Sequence, residues 1–292
     1  MTQGWTVVVG TDGSPEARAA VAATVAFPWP EGTRAAGVVA RRTAAIRGRP
    51  GYFVEAFDRA YRHAAAAAQR VLSVRWPDAE VLVVDTAPVE GILDRARSLD
   101  AHAIIVGSRA RGRLTRLLLG SVARDVVRHA PCATLVIKSR RRAYTRFAVG
   151  IDGSPGSRSA VELVAGLAPP SRAGVTLVAI VEALRAPALP LVLASVRRAV
   201  VQEVAEENAR RRAEAEAHVA AATERLQSVG WSVRSVIREG PPLAELLAAT
   251  EKAGAHLLVV GARGVGGVER LLLGSVAEGA LTRSAVSVLV AR

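Results

Sequence analysis

VVVGTDGSPEAR, Val7 to Arg18, decides the fold, and it does so twice, because FAVGIDGSPGSR stands at Phe147 to Arg158. Each copy opens on an apolar run with no polar alternation, the pattern of a strand buried on both faces. Ser-Pro then marks a helix start, with the serine hydroxyl as cap and proline in the first helical position. Strand, tight turn and helix in that order make the opening of a βα unit, and the chain contains it at an offset of 140 positions.

The repetition runs further. SLDAHAIIVGSR, ending at Arg109, returns as EKAGAHLLVVGAR, ending at Arg263, and GSRARGRLTRLLLGS (Gly107 to Ser121) returns as GARGVGGVERLLLGS (Gly261 to Ser275), both offset by 154. The chain therefore reads as two copies of one unit, residues 1–142 and 143–292, and the rise in offset from 140 to 154 marks 14 extra residues within the second copy, mostly between Gly174 and Trp231. The period is that of a whole domain, not of a solenoid repeat. Polar, arginine-rich Ser139 to Arg146 reads as the linker.

In the first copy the patterning predicts strands at Thr6–Gly10, Arg34–Ala40, Glu80–Val84, Ala103–Val106 and Thr134–Ile137. Helical patterns lie between them, at Pro15–Ala26, near Tyr52–Val74, at Val89–Leu99 and at Val122–His129. The second copy follows, with strands near Ala148–Gly150, Thr176–Val181, Ser232–Ile237, His256–Val260 and Ser287–Val290, and with a longer second helix. Regular alternation of apolar strands and helices predicts an α/β fold: two tandem, doubly wound, five-stranded parallel sheets of Rossmann-like type.

Composition narrows the classes. Half of the 292 residues are hydrophobic, enough for two cores, and no apolar run reaches the length of a membrane span. The single cysteine, Cys132, rules out an internal disulfide, and with an N-terminus that enters a strand pattern at once it leads us to expect a cytoplasmic protein with no membrane partner. The net charge of +13 admits a nucleic-acid partner. However, aromatic residues make up only 4% and none interleave with Arg140–Arg142 or Arg210–Arg212, so stacking platforms for bases are missing and this is the weaker expectation. The five histidines (His63, His102, His129, His218, His256) show no metal spacing, and His102 and His256, which precede the fourth strands, read as structural.

The chemistry-bearing residues gather at one edge of the expected sheets. Ligands in open parallel sheets sit beyond the carboxyl ends of the strands, where strand order reverses. Gly10-Thr11-Asp12 and Gly150-Ile151-Asp152 lead there out of the first strands. Each aspartate is either a turn residue bonding its own backbone or a carboxylate facing a nucleoside. The glycine-rich segments follow the fourth strands. Glycines leave backbone amides accessible to an anion. SVAE, from Ser275 to Glu278, has the form of a capping box, which would set a helix N-terminus over the same crevice. Phosphate binding and plain turn punctuation are the two readings of these glycines. Neither copy carries the Lys-Ser/Thr pair of a Walker loop.

At this point the sequence resembles the universal stress protein family in its tandem form, whose ATP-binding signature is Gly, two residues, Gly, nine residues, Gly, then Ser or Thr. Gly261, Gly264, Gly274 and Ser275 match it in full, whereas the first copy has Gly107, Gly120 and Ser121 but Ala110 at the second glycine. The resemblance implies the adenine nucleotide alpha hydrolase-like fold and ATP accompanied by Mg2+. It places Asp12 and Asp152, with the backbone near Val38 and Ile180, at the adenine, and Gly107 and Gly261 at the ribose. Ala110 and Gly264, beside Arg109 and Arg263, would pass the phosphates, which Gly120, Ser121, Val122 and Gly274, Ser275, Val276 would cradle. It further implies a stress or dormancy regulator, not an enzyme, that pairs its two halves internally through their last strands and can dimerise as whole chains. Slow ATP hydrolysis or nucleotidyl transfer is the alternative, though no base stands at fixed spacing from the glycines. Ala110 leads us to expect tighter ATP binding in the second half.

Overall fold

The computed structural model describes residues 4–42, 48–108, 119–139, 141, 143–186, 194–264 and 273–292. The first half runs β1 (Thr6–Gly10), α1 (Pro15–Ala26), β2 (Arg34–Ala40), α2 (Gly51–Leu72), β3 (Glu80–Val84), α3 (Pro88–Ser98), β4 (Ala103–Gly107), α4 (Ser121–His129) and β5 (Ala133–Ile137). The second runs β6 (Arg146–Ile151), α5 (Pro155–Ala165), β7 (Gly174–Val181), α6 (Ala194–Gln227), β8 (Ser232–Glu239), α7 (Pro242–Lys252), β9 (Leu257–Gly261), α8 (Ser275–Arg283) and β10 (Ser287–Ala291). The predicted strands differ from these by only one or two residues at their ends. Much of the second half's extra length lies in α6, 34 residues against 22 in α2. No helix among the described residues is long and apolar enough to cross a membrane.

All ten strands form one sheet, in the order β3-β2-β1-β4-β5-β10-β9-β6-β7-β8. Neighbours are parallel throughout except β5 and β10, which run antiparallel with Leu135 opposite Leu289. The halves are thus joined internally through their last strands. The reason is in the strands themselves. ATLVI and SVLVA are fully buried, and left as edges they would offer apolar ladders for aggregation. The true edges, β3 and β8, are only partly buried.

Apolar side chains pack on both faces. Val7, Val9, Leu72, Leu135, Phe147, Leu226 and Leu289 belong to one continuous cluster, and Val8, Ile104, Val126, Val136, Leu258, Leu281 and Val288 to the other, so each cluster spans both halves. An aromatic chain reinforces the junction on the first face: Phe27 lies 5.3 Å from Tyr144 and 6.1 Å from Phe147, which lies 5.1 Å from Trp231, centroid to centroid. Tyr144 falls within the segment read as a linker, yet it has no exposed surface. The connection is polar at its start and anchored near its end.

His102 and His256 have structural roles. The Thr6 N–H donates to His102 Nδ1 at 3.2 Å and the Thr145 N–H to His256 Nδ1 at 3.3 Å, each accepting at the entry of a strand. Burial, with the charges of Arg146 and Arg141, holds the His256 imidazole below its ordinary value. Because the folded pKa is the lower one, the unfolded chain takes up the proton first, and stability is lost as pH falls below the ordinary histidine value of about 6.5. Thermal melts between about pH 7.5 and about pH 5.5 should show a falling Tm, and His256→Asn, whose amide oxygen can still accept, should shrink that acid-side loss.

Candidate functional site

Strand order reverses between β1 and β4 in the first half and between β6 and β9 in the second, which opens one crevice per half beyond the carboxyl ends of these strands. At the first, the Thr11 N–H donates to Val38 O at 3.0 Å, tying the end of β1 to β2. Val38 pairs with Gly10 and Val178 with Gly150. The counterpart of Val38 is therefore Val178, and Ile180 stands two residues further along β7. The longer β7 shifted the expected equivalence.

Both turns after the first strands are built alike. Gly13 and Gly153 take φ of +77° and +74°, a left-handed conformation that disfavours a β-carbon. The Ser14 N–H donates to Asp12 Oδ1 at 2.9 Å and the Ser154 N–H to Asp152 Oδ1 at 3.0 Å. Ser14 Oγ and Ser154 Oγ accept from the N–H groups of Ala17 and Ser157, capping α1 and α5. One oxygen of each aspartate is thus spent on its own turn. The guanidinium of Arg18 donates to Gly13 O at 2.9 Å, and that of Arg158 to Gly153 O. These arginines, five residues past the glycine in both copies, were not singled out from sequence, although the repeat DGSPxxR carries them. His218 was also missed: its imidazole packs on Gly153, so that a β-carbon there would lie 2.1 Å from the ring.

In the second half the glycine spacing becomes a set of contacts. A β-carbon on Gly261 would sit 2.3 Å from the carbonyl carbon of Gly156, and one on Gly156 would sit 2.1 Å from Arg263 O. Ser154 Oγ donates to that same Arg263 O at 3.3 Å. These two glycines therefore let helix, strand and loop close on one another. Gly264 is different. Its φ is not positive; instead a β-carbon there would lie 2.6 Å from Asp152 Oδ2, the oxygen not used by the turn. Gly274 returns the chain to this place, its missing β-carbon 3.4 Å from Arg263 Cα and 3.5 Å from Gly264 N, while its own N–H donates to Ala262 O at 2.8 Å.

The expected capping box is not formed. The N-cap of α8 is Gly274, so Ser275 is the first helical residue, and no side chain caps the helix. The Glu278 N–H bonds Gly274 O, which puts Glu278 a position too late to reach back in a capping box. Glycine supplies the cap conformation through its backbone alone. Hence the first-turn amides of α8, including those of Ser275 and Val276, carry no side-chain acceptor, and the positive end of the helix dipole is left for an external anion. The side of the crevice is open, since Arg263, Gly264 and Ser275 are exposed.

The first half repeats part of this. A β-carbon on Gly107 would lie 2.8 Å from the carbonyl group of Glu16, the Gly120 N–H donates to Ser108 O at 2.8 Å, and Gly120 is the N-cap of α4 before Ser121 and Val122, again without a side-chain cap. Glu16 stands where the second half has Gly156. Arg109 and Ala110 lie outside the described residues, as do Gly266 and Gly267. Cys132 immediately precedes β5, near Arg292 at the end of β10, and burial pushes its thiol up to about 12, so it is not a nucleophile at neutral pH.

The close approach at Gly261 carries a prediction. Gly261→Ala forces a methyl into the α5 backbone, which cannot yield as a side chain can. The expected loss is about 2–3 kcal/mol of stability, read by urea denaturation, with the second crevice disturbed. A variant as stable as the parent would mean that α5 stands farther from β9.

The universal stress protein family model matches residues 6–138 and 143–292. The chain is 35% identical over 238 residues to the universal stress protein Rv2005c of Mycobacterium tuberculosis, covering 78% of this chain and 72% of that one. It is 28% identical to a universal stress protein of Mycolicibacterium smegmatis across 98% of this chain and 96% of the other. Among solved structures, a universal stress protein from Archaeoglobus fulgidus superposes with a TM-score of 0.69 over 98% of both chains at 18% identity, a likeness of fold. With the family model covering both halves and the two crevices built from the repeated glycine segments, the chain belongs to the universal stress protein family, as a tandem member.

Proposed function

We propose that the chain is a regulatory ATP-binding protein of the cytoplasm, not an enzyme, whose second half holds the principal nucleotide site. One observation carries this reading: Asp152 Oδ2, Gly264 and the uncapped N-terminus of α8 at Gly274 converge on one open crevice. A carboxylate beside open amides suits neighbouring parts of a nucleotide, the base or ribose donating to Asp152 and the phosphates accepting from the amides of Gly264, Ser275 and Val276. Arg263, exposed beside Gly264, adds charge of the right sign. Mg2+ would travel with the phosphates and neutralise part of their charge, since no group of three or more carboxylate, histidine or cysteine side chains that could hold a metal occurs among the described residues.

The absence of a glycine at Ala110 favours the second site over the first, and the structure of Gly264 gives the physical reason. The cost of a β-carbon there is not backbone strain but loss of the space beside the aspartate. Mass spectrometry of nucleotide retained by the freshly purified protein tests the reading. ATP or ADP is expected at about one equivalent or less per chain, lost in Gly274→Asp; a protein that emerges free of nucleotide and takes up none from millimolar Mg-ATP would contradict it.

A further inference from the structure

Both short helices that open onto the crevices are held at their far ends by the opposite half. Lys138, immediately after β5, donates through Nζ to Ser284 O, the C-cap carbonyl of α8, at 2.7 Å, and to Ala280 O in its last turn, which also accepts the Ser284 N–H, at 3.3 Å. Arg292, immediately after β10, donates to Arg128 O at 2.8 Å and to Val127 O, the last carbonyls of α4. The two residues are repeat equivalents, 154 positions apart, and they cross over because β5 and β10 pair antiparallel. Each is also one step from its own crevice. Ile137 O, before Lys138, accepts from the Ser108 N–H at 2.9 Å, and Ala291 O, before Arg292, accepts from the Ala262 N–H at 2.7 Å.

We propose that Lys138 and Arg292 are positioning residues that act across the junction, each setting the helix whose N-terminus forms the other half's phosphate cradle. A nine-residue helix is too short to be stable by itself, so its position follows from its contacts. A cation at the terminal carbonyls adds a donor where the helix runs out of its own and complements the helix dipole. Lys138 thus completes the second crevice from the first half, and Arg292 completes the first from the second. An ion pair between Arg128 on α4 and Glu278 on α8, at 3.2 Å, ties the two helices to each other. Displacement of either loop by a bound nucleotide is carried, through the strand-end residue, to the opposite helix, so that the two sites are linked and the linkage is reciprocal.

The geometry is independent of the nucleotide reading, but its consequence for ligand affinity rests on it, and the experiment separates the two. In the full chain, amide hydrogen exchange is followed in Lys138→Met, Lys138→Arg and Arg292→Met. Lys138→Met is expected to speed exchange along α8, first turn included, far more than along α4; Arg292→Met should do the reverse. Lys138→Arg, which keeps a donor at that place, should restore the parent pattern. By calorimetry, Lys138→Met should weaken Mg-ATP binding about three- to tenfold in a chain whose first crevice is blocked by Gly120→Asp, and much less in one blocked by Gly274→Asp. Loosening of α4 by Lys138→Met as much as or more than α8, or of neither helix, overturns the crossed positioning. Absence of ATP binding in the parent chain defeats the functional reading alone, and the exchange pattern still decides the proposal.

Discussion

On the proposed reading, Gly264→Asp should remove the tighter of two ATP isotherms, with a loss on the order of a hundredfold in the second half. The position is exposed and lies beyond the end of β9, so the fold does not depend on it. A β-carbon would already stand 2.6 Å from Asp152 Oδ2, and an aspartate adds a carboxylate to that contact. Two like charges about 4 Å apart repel by roughly 4 kcal/mol at an effective dielectric of about 20. The new carboxylate also faces the phosphates, so repulsion acts on the ligand as well as on the site. Gly264→Ala, which copies Ala110 into the second half, isolates the steric part and should cost about tenfold. Calorimetry on the whole chain resolves both, and unchanged affinity in the aspartate variant would remove Gly264 from the site.

The second large effect concerns the junction. Phe147→Ala empties a fully buried ring between Phe27 of the first half and Trp231 of the second. Deleting a buried phenylalanine costs about 3–5 kcal/mol, and for a chain of this length that lowers Tm by about 5–8 °C. The form of the transition is as informative as its midpoint. Because each apolar cluster runs through both halves, parent and variant should both unfold in one step by calorimetry. Two resolved transitions, with only one of them moved by the substitution, would show that the halves are independent.

Much of the architecture was legible in the sequence, for identifiable reasons. Strands such as TVVVG and LLVVG are buried on both faces, so uninterrupted apolar runs mark them to within a residue, and the repeat supplies each element twice. What escaped reading depends on contacts between distant segments or on backbone conformation. Ser275 was placed in a capping box because its composition fits one; a glycine cap one residue earlier has no side chain to announce it. Tyr144 sits in an arginine-rich stretch, and its burial comes from distant residues of the core, Phe27 among them. Ile180 was matched to Val38 because both stand near strand ends, whereas the pairing of β6 with β7 assigns Val178.

The site divides in the same way. The spacing of Gly261, Gly264 and Gly274 pointed to a ligand. The structure assigns the first of these to helix–strand packing against Gly156 and the other two to the open crevice. Gly156 carries no signal of its own, since it simply replaces Glu16 after a matching DGSP turn. Lys138 and Arg292 could be paired as repeat equivalents, but their crossing onto α8 and α4 follows from the antiparallel direction of the junction, which their own sequence neighbours do not announce.

The claim on which the functional account stands is that main-chain amides at the start of α8 grip a triphosphate. Backbone amide chemical shifts of the full chain, followed during titration with Mg-ATP, test it most directly. Saturable movement of Gly264, Ser275 and Val276, larger than at any arginine-rich surface, is the expected result. Shifts scattered over the basic surface and absent from those three amides would contradict it.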